Sequence, residues 1–363
     1  MTAAPAEGLL DAPLDVRISG LQPGEAVVLH ATELSARRRP WRSSVALRAD
    51  SRGVVERDAR SLLTSLRPVE RLPGDAFPAD VGHIQLSISI RRHTVARLEV
   101  VRRVLSRAVA HTLLLASRDH LVGRYYAPAG AKRKPAILLL GGLEGGLFFP
   151  PVAKLLASHG YPTLDLAYFG LPGLPASLER IPLEYFQRAL VWLAARPGVD
   201  PRRLVVIGAS RGAEAALLVA SAFPSLVSAV AAYSPSARVV AAPDGRGPAW
   251  TLGGRALAPG RQIRVERIEG PLLLVAGLAD GLWPSGPSAR AIARRARRPA
   301  TLLAYPGAGH AVDLVLPNAP SSTVLATRDG LLRLGGTPAA DAAARNAAWP
   351  QLLLFLDRIG SSS

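Results

Sequence analysis

The run Leu204-Val205-Val206-Ile207 leads directly into Gly208-Ala209-Ser210-Arg211-Gly212, and a small-residue run from Glu214 to Ala220 comes next. The first stretch reads as a buried strand and the last as a helix, so the pentapeptide must turn one into the other. In a strand-turn-helix of pattern G-x-S-x-G, the Ser sits on strained backbone at the sheet edge. The flanking glycines let strand and helix pack close enough to hold it there. Five common residues carry little weight alone; their setting and their downstream partners carry more.

Two further strand patterns end in chemistry-bearing loops. Leu272 to Ala276 runs into Gly277-Leu278-Ala279-Asp280-Gly281, and Thr301 to Tyr305 runs into Pro306-Gly307-Ala308-Gly309-His310. Loops at the carboxyl ends of strands are where sites form in open α/β sheets. The chain order Ser, Asp, His is that of α/β-hydrolases. Of seven histidines (30, 83, 93, 111, 120, 159 and 310), only His310 comes after Ser210. If Ser210 is a nucleophile of this fold, His310 is its base by elimination. Asp313 and Glu214 are rival acids, but neither ends a strand pattern, so Asp280 is preferred.

Acyl-transfer chemistry also needs donors for an oxyanion. The buried-strand pattern Pro135 to Leu140 is followed by Gly141-Gly142-Leu143-Glu144-Gly145-Gly146. Backbone N–H groups of Gly142 and Leu143, with that of Arg211 after the nucleophile, are the expected oxyanion hole. Neither G-x-G-x-x-G nor a P-loop pattern is present, so the loop is not read as a phosphate cradle. Glu144 is unfavourable beside an oxyanion unless it is paired or turned away, and it is read as a hydrogen-bond anchor or a pocket residue.

The rest of the chain divides in two. Residues 1–118 carry short strand patterns (Leu14 to Ile18, Ala26 to His30, Ser44 to Arg48 and the alternating Ile84 to Ile90) separated by turns such as Gly20-Leu21-Gln22-Pro23-Gly24. That spacing predicts a small antiparallel all-β sandwich. Glu99 to Leu115 fits helix and strand equally. Residues 119–363 alternate strands and helices, predicting the α/β-hydrolase fold, a mostly parallel sheet flanked by helices. Helices are expected from Pro151 to about His159, from Pro182 through Arg196 and from Trp349 to Ile359. The Pro/Gly/Arg-rich stretch 234–268 reads as a cap-like insertion, in which Trp250 either lines an acyl pocket or packs in the core.

Composition closes several routes. The chain has no cysteine, so disulfides, Cys-based zinc sites and a cysteine nucleophile are excluded. Its histidines form no metal-ligand spacing, and neither metal nor cofactor is expected. Net charge is +17, nearly all of the basic side chains being Arg. Clusters at Arg37 to Arg39, Arg91-Arg92, Arg102-Arg103, Lys132 to Lys134 and Arg290 to Arg298 lack interleaved aromatics or a reader motif. Nucleic acid is therefore not an expected partner. A generic basic surface accounts for the charge, and an anionic substrate would be drawn by it. Neither a secretory signal at the start nor a membrane span is read, so a cytoplasmic location is expected.

Taken together, these motifs resemble the acyl-CoA thioesterase and bile-acid-CoA:amino-acid N-acyltransferase family. The resemblance rests on Leu140-Gly-Gly-Leu-Glu-Gly-Gly146, Leu166-Ala-Tyr-Phe-Gly170, Ile181-Pro-Leu-Glu-Tyr-Phe186 and Gly208-Ala-Ser-Arg-Gly-Ala-Glu214. Leu282-Trp-Pro-Ser285, Pro306-Gly-Ala-Gly-His310, Gly335-Gly-Thr-Pro338 and Trp349-Pro350 continue it. Gly20-Leu-Gln-Pro-Gly24 and Trp41-Arg-Ser43 resemble the family's immunoglobulin-like front domain, with departures beyond about residue 60. The resemblance implies a Ser210, Asp280, His310 triad acting on acyl-CoA thioesters through an acyl-enzyme; with the basic charge, an acyl-carrier-protein thioester is the other substrate expected. Glu144, Trp250 and Trp283 are the pocket candidates. A Ser nucleophile forms an oxygen ester, less reactive toward amines than a thioester, so hydrolysis is expected over transfer. Acyl transfer to an amine or hydroxyl, oxygen-ester hydrolysis and an inactive binding module are the alternatives. No motif speaks to oligomeric state.

Overall fold

The computed structural model describes residues 1–35, 38–69, 80–130, 134–147, 150–245, 247–320, 322–327 and 330–361. Arg37, Lys132 and Arg133 of the basic clusters therefore lie outside the described residues. The chain folds as two units, one of Met1–Ser106 with Leu316–Ser321, the other of Arg107–Val315 with Ser322–Ser363.

The first unit is mostly β, as expected, with one short helix, Arg60–Thr64. Strands Thr2–Ala4, Asp15–Ile18 and Val55–Asp58 form a three-stranded sheet. A six-stranded sheet is ordered Glu7–Leu9, His93–Arg103, Val81–Ile90, Ala26–Leu34, Pro40–Arg48, Arg67–Pro68. Period-two alternation sets the inner face: Ala26–Leu34 buries Val27, Leu29, Ala31 and Glu33 and turns the residues between them outward. Val16 and Ile18 of the small sheet, with Leu14 just before them, share one apolar core with Val27, Leu29, Ile84, Leu86 and Ile88 of the large one. Two sheets closing on one core make a sandwich.

The ambiguous stretch from Glu99 to Leu115 holds no helix; it contributes two strand segments, joined by a turn and divided between the two units. His93–Arg103 pairs with Val81–Ile90 in the first. Val109–Leu114 pairs antiparallel with Val122–Pro128 in the second. The Val-rich composition decides for strand because both pieces have a pairing partner; propensity alone did not.

The second unit is built on an eight-stranded sheet. Its order is Val109–Leu114, Val122–Pro128, Thr163–Ala167, Lys134–Leu140, Val199–Ala209, Ala229–Tyr233, Leu272–Gly277, Thr301–Tyr305. The first two strands run antiparallel and the other six parallel to one another. The central strands carry continuous apolar runs, such as residues 136–140 and 204–207, because helices cover both faces. These helices are Pro150–Ser158, Leu183–Ala194, Arg211–Ala222, Ser285–Arg295 and Pro338–Ser361. The last one starts eleven residues earlier than its sequence pattern suggests. Pro338 fits a first helical turn, and Thr337 Oγ1 accepts the N–H of Ala340 at 3.1 Å. Pro350 sits inside it. Among the described residues no helix is long and apolar enough to cross a membrane.

Candidate active site

Ser210 stands between strand Val199–Ala209 and helix Arg211–Ala222 with φ +55° and ψ −117°. Such backbone costs a non-glycine residue about 1–3 kcal/mol and persists only where its surroundings fix it. Those surroundings are close-packed. A Cβ on Gly208 would overlap the carbonyl of Gly212, and one on Gly212 would overlap the carbonyls of Leu140 and Gly141. The Ser210 N–H donates to the Tyr233 carbonyl at 2.9 Å, tying the turn to the neighbouring strand. Its side chain points into a crevice at the strand ends.

Two loops reach the same point. Ser210 Oγ lies 2.9 Å from His310 Nε2, and His310 Nδ1 lies 2.9 Å from Asp280 Oδ2. With the neutral imidazole protonated at Nδ1, that N–H donates to Asp280 and Nε2 accepts from the Ser210 hydroxyl. The other Asp280 oxygen accepts the N–H groups of Leu282 at 2.9 Å and Trp283 at 3.3 Å. His310 is 3 % and Ser210 6 % exposed, so the chain of hydrogen bonds is nearly dry. Of the rival acids, Asp313 places Oδ2 3.5 Å from Nε2, on the serine side of the ring. Burial pulls the His310 pKa down, but the carboxylates of Asp313, Asp280 and Glu144 outweigh it, and the net shift is upward. Burial pushes Asp313 itself up to about 6.

The glycine loop lies alongside. A Cβ on Gly142 would stand 3.3 Å from Ser210 Cβ and 2.9 Å from Glu144 Oε2, so this loop faces the serine and the Glu144 carboxyl folds back over it. Tyr168, buried, donates its hydroxyl to the Gly141 carbonyl at 2.7 Å and pins the loop from behind. Arg211, the first residue of its helix, has a backbone N–H with no intrahelical acceptor. Loss of hydration, together with the nearby Asp313, raises Glu144 to about 7, although its side chain still meets solvent. A mainly apolar cavity of about 190 Å³ opens on Ser210 and His310, with Leu143, Glu144, Trp283 and Asp313 in its wall.

This geometry has relatives. Residues 181–243 and 253–360 match the family described as BAAT / Acyl-CoA thioester hydrolase C terminal. Acyl-coenzyme A amino acid N-acyltransferase 2 of Rattus norvegicus is 28% identical, over 98% of this chain and 96% of that protein. The peroxisomal succinyl-coenzyme A thioesterase of Mus musculus is 28% identical over 97% of this chain and 94% of its own length. The chain is a relative of the acyl-CoA thioesterases and N-acyltransferases. Acyl-coenzyme A thioesterase 2, mitochondrial, of Homo sapiens, at 25% identity, covers 96% of it. Among solved structures, a dienelactone hydrolase from Anabaena variabilis covers 68% of the chain at 18% identity and a TM-score of 0.44.

Within this thioesterase and acyltransferase relative, one pocket expectation needs correction. Trp250 does not line the cavity at Ser210; it is fully buried in the core against Tyr168 and Phe186. Its Nε1 donates to Glu214 Oε1 at 2.8 Å, and the Val240 N–H donates to the same oxygen at 2.7 Å. Glu214 is fully buried, and its other oxygen faces Arg211 Nη1 at 3.3 Å. The insertion after Tyr233 is thereby hung on the elbow helix through one carboxyl. Burial raises that carboxyl to about 7, against the pull of Arg211. Glu214 has no access to His310 in this role.

Trp283 does line the cavity. It meets the His310 ring edge-on at 5.0 Å, and its Nε1 donates to the Ser234 carbonyl at 3.0 Å. Sequence reasoning missed the residues that hold the histidine loop. Ser234 Oγ donates to the His310 carbonyl at 3.0 Å, the Gly309 N–H donates to Asp341 at 2.6 Å, and Arg345 Nη1 donates to the Ala311 carbonyl at 3.2 Å. Asp341 and Arg345 are almost completely buried on the last helix. Two buried charged residues in an Ala-rich helix were the available signal.

Proposed function

We propose that the chain is a serine acyl-CoA thioesterase. Ser210 Oγ attacks the thioester carbonyl carbon while His310 Nε2 takes its proton and Asp280 stabilises the imidazolium. Backbone N–H groups of the Gly142-Leu143 segment and of Arg211 receive the oxyanion. The carbon–sulfur bond breaks, and the imidazolium returns its proton to the departing thiolate of coenzyme A. Water then attacks the acyl-serine ester, giving its proton to Nε2. The ester bond to Oγ breaks, Oγ recovers a proton, and the carboxylic acid leaves.

The observation that carries this reading is the continuous hydrogen-bonded path from Ser210 Oγ through His310 to Asp280, with both bonds at 2.9 Å. Acyl-CoA as the substrate is supported by the thioesterases and N-acyltransferases among the relatives. The test is thiol release from a panel of acyl-CoAs, monitored with a thiol-trapping dye. Release by the wild type and none by Ser210→Ala supports the reading; turnover of oxygen esters alone would overturn it. The N-acyltransferase relative favours a second reading, transfer to an amine. Product mass spectrometry with glycine or taurine present separates the two: free acid means hydrolysis, an amide means transfer.

A further inference from the structure

Resting on that thioesterase reading, we infer that the cavity beside Ser210 selects an uncharged apolar acyl group of medium length, about eight carbons or fewer. The cavity measures about 190 Å³ and is walled by Leu282, Trp283, Leu314, Leu332 and Leu334. An apolar cavity of about 150 Å³ holds one benzene, so by proportion this one accepts roughly eight carbons. A palmitoyl tail has about twice that many and does not fit. Coenzyme A itself is far larger than this space and stays outside it.

The wall is not free to recede. Trp283 is held by its indole hydrogen bond to the Ser234 carbonyl and by the His310 ring it packs on. Leu314 ends the short turn His310–Leu314 that carries the histidine. Leu334 is buried, and its carbonyl accepts the N–H of His310 at 2.7 Å. Enlarging the cavity on these sides would therefore move the triad. The polar part of the wall sets charge preference. Glu144 and Asp313 both reach the cavity, and the guanidinium of Arg211 already faces Glu214 at 3.3 Å. A terminal carboxylate on the acyl group would lose its water against two acids, and Arg211, the arginine of the wall among the described residues, already faces Glu214.

The experiment is kcat/KM over a series of straight-chain acyl-CoAs from acetyl to palmitoyl, with succinyl-CoA beside butanoyl-CoA. Each methylene that enters the cavity is expected to raise kcat/KM about fourfold. The maximum is expected at hexanoyl or octanoyl, with palmitoyl and succinyl each at least about tenfold below the best fitting neighbour. A maximum at dodecanoyl or beyond, or succinyl matching butanoyl, overturns the inference. Leu332→Trp should lower the ratio of octanoyl to butanoyl kcat/KM about tenfold; an unchanged ratio contradicts it. If no acyl-CoA turns over, the thioesterase reading fails, yet the cavity remains testable by binding to Ser210→Ala. Tighter binding of octanoyl-CoA than of palmitoyl-CoA supports the cavity assignment, and the reverse order overturns it.

Discussion

Ser210 is held in left-handed backbone by glycines that leave no room for a side chain on either side. The strain is maintained by packing and does not depend on the hydroxyl. Ser210→Ala is therefore expected to lower kcat by at least about 10³-fold while leaving the melting temperature in place. Calorimetry beside the thiol assay checks both halves. His310 sets the pH dependence. The base must be neutral, and its pKa lies above the ordinary imidazole value, so kcat/KM should fall as pH drops through a point above about 6.5. Asp313 faces Nε2 at 3.5 Å and favours the charged ring, so Asp313→Asn should move that acid limb to lower pH. A pH profile of the variant that overlays the wild type would show that Asp313 is not coupled to the base.

At the scale of elements, the cap-like insertion is fastened where Trp250 and the Val240 backbone meet Glu214. Trp250→Phe removes an indole N–H from a buried carboxyl and is expected to cost about 1–3 kcal/mol of stability. Because the ring sits in the core, the order of preferred acyl lengths should not change; a changed order would return Trp250 to the pocket. In the sandwich, Glu33 is 2 % exposed, and burial raises its carboxyl to about 7. Proton binding favours the folded form, so stability is full at acid pH and is lost as pH rises through about 7. Glu33→Gln should remove that loss, worth up to about 3 kcal/mol well above neutrality. Denaturant titrations at two pH values measure it.

The elbow and its two partner loops were legible because each ends an apolar strand run, and only one histidine comes after Ser210. Trp250 was not, because an aromatic in a Pro/Gly-rich stretch looks the same whether it faces a pocket or the core. The Glu99–Leu115 stretch needed its partners to be known, since each half pairs with a different sheet. The long last helix was hidden by Pro350, which breaks the pattern yet is tolerated in place.

Taken whole, the molecule is two units and a strong positive charge. Apart from residues 316–321, the family match at 181–243 and 253–360 falls in the second unit, where Ser210, Asp280 and His310 meet. A net charge of +17 attracts the phosphates of coenzyme A from a distance. Raising ionic strength should therefore raise KM for acyl-CoA and leave kcat nearly unchanged; a KM indifferent to salt would rule out such steering. The central claim is that the acyl group passes through Ser210 Oγ. Rapid acid quench after mixing with octanoyl-CoA, then peptide mapping in a mass spectrometer, reads that directly. One octanoyl group is expected, on the peptide carrying Ser210, and none in Ser210→Ala. Thiol release with no acylated peptide at any time, or an acyl group mapped to another residue, would contradict it.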